Sequence, residues 1–203
     1  AAPVAAAEIA VAYLRQEIDR PPVLSNLDPV PADLGIAGAE VALADVKTTG
    51  AFLGQDWRLD LVSVPPGGDF TAAARAALAT HRLVILDAPV EAQLAIADLP
   101  EAQGALLLNA SSGEARLRSE DCRANLLHTL PEDGARSDAL MQVLQAKQWT
   151  DLVLVTGPHP ADRAFAEALT RSATKFGLSI LAQKDWTFDT DLRESTAEEI
   201  PRF

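Results

Sequence analysis

Arg15, Arg116 and Arg118 are the residues of this sequence best suited to hold a carboxylate. A guanidinium is planar, stays charged and can donate two parallel hydrogen bonds. Trp186 offers a flat apolar face for stacking. His159, in the turn Gly157-Pro158-His159-Pro160, can donate to a carboxylate or cap the helix after it. Tyr13 and Asp87 stand near the ends of apolar runs, and Asn109 opens the polar stretch Asn109-Ala110-Ser111-Ser112. Asn109, Ser111 and Ser112 can bind a polar ligand or satisfy the backbone of their own turn. Each arginine also reads as a solvated surface charge, and Trp186 as core. Together these residues describe binding chemistry.

No reaction chemistry accompanies them. Three histidines and the single Cys122 show no metal-ligand spacing with carboxylates. His81 ends a helical stretch and His128 lies on a short strand, and both read as structural. Ser111-Ser112-Gly113 is not a nucleophile elbow, and phosphate-loop and dinucleotide fingerprints are absent. Asp87 and Asp185 are isolated carboxylates, not a general acid and base pair. The sequence points away from an enzyme.

The elements that position these residues alternate. Ala7–Arg15 is a buried strand, followed by the proline-rich Arg20–Asp33 loop and a helical pattern over Ala32–Thr48, with Gly50 and Gly54 at its exit. Trp57–Val64, Arg82–Asp87 and Ala105–Asn109 are further strands separated by helix-length segments, and Asn125–Leu130 is a shorter one. Asp69 is placed to cap a helix over Phe70–His81, and Val90 to about Ala97 forms the next. Ala139–Lys147 fits another helix. A second passage begins at Asp151: strand to Thr156, helix Ala161–Phe176 closed by Gly177, strand Leu178–Ala182, and the start of a helix over Glu194–Phe203. Alternation of this kind predicts an α/β fold with a parallel sheet covered by helices. Ligands bind such sheets beyond the carboxyl ends of the strands. That rule selects Tyr13, Arg15, Pro65–Gly68, Asp87 and Asn109–Ser112. Trp57 and Trp149 precede their strands, which predicts core or edge packing at the opposite end.

The chain has 203 residues, 48% of them hydrophobic, so a packed core is expected. A net charge of −12 argues against nucleic-acid binding, which needs a basic face. It leaves room for a small anion held by local arginines. No apolar run reaches the roughly 20 residues of a membrane helix. The start Ala1-Ala2-Pro3-Val4, without Met, reads as a mature N-terminus or an engineered one. Residues 1–148 read as one α/β lobe and 149–203 as the beginning of a second.

Three long segments carry a resemblance: YLRQEIDRPPVLSNLDPVPADLGIAGAEVALADVKTTGAFLGQ, DCRANLLHTLP and GPHPADRAFAEALTRSATKFGLSILAQKDWTF. With the second strand run DLVLVTG, they resemble type I periplasmic binding proteins, the branched-chain amino-acid-type substrate-binding components of ABC transporters. More narrowly, they look like the subfamily associated with pyrroloquinoline quinone (PQQ)-dependent alcohol dehydrogenase systems. The resemblance implies a periplasmic protein of two lobes that binds PQQ in the cleft between them and requires no cofactor. PQQ is flat, aromatic and carries three carboxylates, which suits Arg15, Arg116, Arg118 and Trp186. In amino-acid-binding relatives the loop after the fourth strand contacts the ligand, and Asn109, Ser111 and Ser112 hold the similar place. An ABC permease or a PQQ-dependent dehydrogenase is the implied partner. A small amino acid or alcohol-derived carboxylic acid is the alternative ligand. A sensing or protein-interaction module is the alternative of another class. Family members run much longer, so the chain is expected to be truncated, with a partner for Cys122 in the missing part and dimerisation through the exposed edge.

Overall fold

A computed structural model describes residues 6–19 and 30–186. In chain order the elements are β1 (Ala7–Gln16), α1 (Ile36–Leu53), β2 (Gln55–Val64), α2 (Phe70–Leu78), β3 (Leu83–Asp87), α3 (Val90–Ala97), β4 (Leu106–Asn109), β5 (Leu126–His128), α4 (Asp133–Ala146), β6 (Asp151–Thr156), α5 (Pro160–Phe176) and β7 (Ser179–Asp185). Short 3₁₀ turns lie at Pro100–Ala102 and Ala115–Arg118. The expected α/β fold with parallel sheets is what the chain adopts. The helix expected over Glu194–Phe203 and most of the proline-rich loop lie outside the described residues.

Two compact units are present. The first spans residues 1–112 and 119–130, and the second spans 113–118 and 131–203. Helix α4 therefore clusters with the second unit, although it precedes the lobe boundary expected at 148/149.

In the first unit five parallel strands are ordered β2-β1-β3-β4-β5. Strand β1 lies between two neighbours, and its middle residues Ala12, Tyr13 and Leu14 are buried in sequence. An inner strand of a parallel sheet is covered on both faces, so an uninterrupted apolar run fits it. Leu14, Val84, Leu86 and Leu107 are fully buried and form the centre of this core. Helix α2 seals one face with Phe70, Ala74, Ala77 and Leu78. As expected, Asp69 caps it, accepting from the Ala72 N–H at 2.8 Å. His81, just past α2, is buried and its Nε2 lies 2.8 Å from Asp60 on β2, a structural role.

Helix α1 starts and ends later than its pattern suggested. Gly50 does not stop it. Gly50 is buried within the helix because the Trp57 indole packs there: a Cβ at Gly50 would fall 2.8 Å from Trp57 Cδ1. Gly54, in the left-handed region, closes the helix instead. Helix α2 is shorter than expected and β5 covers only three residues.

In the second unit β6 and β7 pair in parallel. Met141 of α4, Ala173 of α5 and Leu178 form its core, with Leu144, Leu152, Leu169, Phe176 and Ile180 packed around them. The opposite face of this sheet, Val153, Val155 and Leu181, is exposed. Trp149 is 62% exposed, which corrects the packing role expected for it. Asp138 on α4 accepts from Ser172 at 2.6 Å and from Lys175, both on α5. The Lys175 hydrogen bond, then that of Ser172, holds the Asp138 carboxyl below the ordinary carboxylate value. A lowered folded-state pKa contributes stability above the unfolded value, about 4, and that contribution is lost as pH falls through the folded value. In acid titrations of unfolding, Asp138→Asn is therefore expected to be less stable than the parent near neutrality. The gap should close below about pH 4. A gap independent of pH would remove this clamp from the account.

Candidate functional site

The carboxyl ends of β1 and β3 bring three of the sequence candidates together. Arg15 on β1 is in register with Asp87, the last residue of β3. The Tyr13 hydroxyl, on the same face of β1, donates to Asp87 Oδ2 at 2.9 Å. Burial, then the hydrogen bond to the Asp87 carboxylate, pushes the Tyr13 hydroxyl pKa well up, so it remains a donor. Gly35 closes over this pair. It caps the start of α1 with φ +83°, and a Cβ there would lie 2.5 Å from the Tyr13 hydroxyl and 3.1 Å from Asp87 Oδ2. Glycine satisfies both the left-handed backbone and the close approach. Arg15 Nη1 donates to the Ala32 carbonyl at 2.8 Å, tying the segment before α1 to the strand end.

The loop after β4 is organised inward. Asn109 is fully buried. Its Nδ2 donates to Ser112 O at 2.6 Å and lies 3.1 Å from His128 Nδ1. Its Oδ1 accepts from the N–H groups of Ser111 at 3.1 Å and Ser112 at 2.9 Å. The Ser111 hydroxyl donates to Ala88 O at 2.9 Å and accepts from Ala88 N at 2.9 Å and Gln93 Nε2 at 3.1 Å. A hydroxyl has one donor and two lone pairs, so these bonds use all of its capacity. In this arrangement Asn109 and Ser111 both hold the turn, and Ser111 ties it to the exit of β3. Ser112 is half-buried beside them.

The second unit carries the remaining candidates. Arg116 and Arg118 lie on the 3₁₀ turn Ala115–Arg118, and Arg116 Nε donates to Glu114 Oε2 at 2.9 Å. Both arginines are half-buried rather than fully solvated. His159 is the N-cap residue of α5, with its backbone N–H donating to Asp162 Oδ2 at 3.1 Å. Gly157 leaves room for that carboxylate, which a Cβ would overlap. Trp186 follows β7 directly, is half-buried, and donates its backbone N–H to Thr156 O at 2.8 Å.

Thr156 is the residue that sequence reasoning passed over. It ends β6, is 3% exposed, and its hydroxyl has no hydrogen-bond partner. A buried hydroxyl without a partner carries a desolvation cost that a ligand atom can offset. The readable signal was a hydroxyl ending an apolar strand just before glycine. Thr156, His159 and Trp186 thus gather at the carboxyl edge of the β6–β7 sheet, where a parallel sheet binds ligands. Among the described residues no group of His, Cys, Asp and Glu side chains is arranged to hold a metal.

The sequence pattern of a family described as periplasmic binding protein matches residues 31–198. The chain belongs to the periplasmic binding protein family. No curated protein sequence matches it. Among solved structures, an ABC transporter substrate-binding protein from Desulfitobacterium hafniense in complex with Leu is 19% identical, with a TM-score of 0.65 over 90% of this chain and 51% of that one. A solute-binding protein of an ABC transporter from R. palustris in complex with benzoate is 15% identical, with a TM-score of 0.63 over 95% of this chain and 52% of that one. The similarity shows a shared fold. This periplasmic binding protein chain spans about half the length of those relatives.

Proposed function

We propose that this chain is part of a periplasmic solute-binding protein of an ABC transporter, and that its solute is PQQ or a related carboxylated aromatic. The observation that carries the reading is the strand-edge cluster of the second unit. A tryptophan follows β7, and its backbone is bonded to a threonine whose buried hydroxyl has no partner. That pairing suits a flat ligand with polar substituents: the indole stacks and the hydroxyl donates. Arg116 and Arg118, in the same unit, supply cations for carboxylates, and the long segments resembling the PQQ-associated subfamily favour this ligand. Family membership supports a periplasmic location and a permease partner; a PQQ-dependent dehydrogenase is the recipient or source under this reading. The protein acts by binding, with no reaction step of its own and no cofactor.

A smaller carboxylate is the second reading. It is favoured by the two similar structures, which hold Leu and benzoate. Calorimetric titration with PQQ, leucine and benzoate separates the two. The proposed function expects saturable PQQ heat, and loss of the Trp186 ring should weaken it about 10-fold, the order of an aromatic contact. Leucine or benzoate binding with no PQQ heat would establish the second reading. Unchanged PQQ affinity in Trp186→Ala would remove Trp186 from the site.

A further inference from the structure

We propose that the second unit holds internal water between α4 and β6, bound by the hydroxyls of Ser137 and Thr156. Ser137 is 0% exposed and Thr156 is 3% exposed, and neither hydroxyl has a hydrogen-bond partner in the protein. A buried hydroxyl left in that state is costly, and buried polar groups are normally paired with protein or with ordered water. The buried residues of α4 are Asp133, Ser137 and Met141, one stripe of the helix at steps of four. Met141 belongs to the apolar core that Leu152 of β6 packs against. Along β6 Leu152 and Leu154 are half-buried and Thr156 is buried, whereas Val153 and Val155 are exposed. The alternation turns Thr156 to the same, helix-covered side as Leu152.

Only residues 147–150 join α4 to β6, so the two run in opposite directions. Going back from Met141 to Asp133 and forward from Leu152 to Thr156 therefore leads the same way, toward the carboxyl edge of the sheet. The first path rises about 12 Å and the second about 13 Å. Both walls of the layer change from apolar to polar over the same rise, which brings Ser137 and Thr156 into one buried polar zone. Asp133, at the head of the stripe, is 8% exposed and accepts from Arg136 at 3.1 Å, so its carboxylate adds acceptor capacity there. A buried water makes about three hydrogen bonds, and two hydroxyls with a carboxylate offer both donors and acceptors. The water site stands whatever solute the protein takes. A hydroxyl has one donor and two lone pairs, so Thr156 can accept from this water and still donate at the strand edge.

Urea unfolding of the full chain tests it, with Ser137→Ala, Thr156→Val and the two combined. Each single change strands the water with fewer partners, so each should lower the unfolding midpoint. The combined change removes the site and its water together. Its midpoint should therefore lie no lower than that of the weaker single variant, well short of the summed losses. Nuclear Overhauser contacts between water and the Thr156 methyl group are expected in the unaltered protein, a readout that needs no variant to fold. Single substitutions that each raise the midpoint, with gains that add, overturn the proposal, because they mark two dry hydroxyls that are merely unsatisfied. Losses that add also overturn it, because they place the two hydroxyls at separate sites. So does the absence of any water contact at Thr156 in the unaltered protein.

Discussion

Asn109→Ala is expected to cost about 3 kcal/mol of folding stability, because it removes several hydrogen bonds from a buried site and leaves their partners unmet. The amide binds Ser112 O and approaches His128 Nδ1 on one side, and accepts the Ser111 and Ser112 N–H groups on the other. Asn109 is fully buried, so bulk solvent does not compensate the lost bonds. Urea unfolding is the measurement, with the midpoint falling and the slope unchanged. Asn109→Asp should recover part of the loss, since its carboxylate still accepts the two N–H groups but no longer donates to Ser112. An unchanged unfolding curve with weakened ligand affinity would assign Asn109 to ligand contact instead of to holding the turn.

The second large effect is at Gly35. An alanine there keeps a positive φ, costing about 1–2 kcal/mol. Its Cβ also meets the Tyr13 hydroxyl and Asp87 Oδ2, so their hydrogen bond must open around a buried phenol. Opening it adds about 1–2 kcal/mol, for a total near 3 kcal/mol. Gly38, one turn further along the same helix, is the control. Nothing lies within 4 Å of a Cβ at Gly38. Gly38→Ala should raise stability by about 0.5–1 kcal/mol through helix propensity alone. If both substitutions shift the unfolding midpoint equally, the Tyr13–Asp87–Gly35 contact is not what fixes the start of α1.

The strands and α3 were legible because apolar runs in a parallel sheet carry their own length, and Asp69 announced its helix by chemistry and position. Elements were misjudged where a distant side chain decides. Gly50 looks like a stop and becomes a packing surface only because Trp57 returns on β2 to lie against it. The polar end of β7, Gln183-Lys184-Asp185, looks like a loop, yet it pairs with Leu154-Val155-Thr156. The candidate site was legible as a set of strand ends and less so as contacts. Tyr13, Arg15 and Asp87 converge as the strand-end rule requires, because parallel strands in register bring their termini together. Asn109 was found by position, but its role depends on His128, 19 residues on, and on a loop that turns back on itself. Thr156 stayed hidden because a strand-terminal threonine is ordinary until its surroundings deny the hydroxyl a partner.

The unequal settings of the three tryptophans give the protein a built-in optical division. Trp149 stands 62% exposed and should emit at long wavelength, open to collisional quenchers such as iodide. Trp57 lies against Gly50 with its indole N–H bonded to Gln55 at 3.1 Å, so it should emit further to the blue and resist them. Trp186, like Trp57, is half-buried. With iodide present the Trp149 background is suppressed, and any remaining spectral change on adding a solute reports chiefly on the strand edge that Trp186 shares with Thr156.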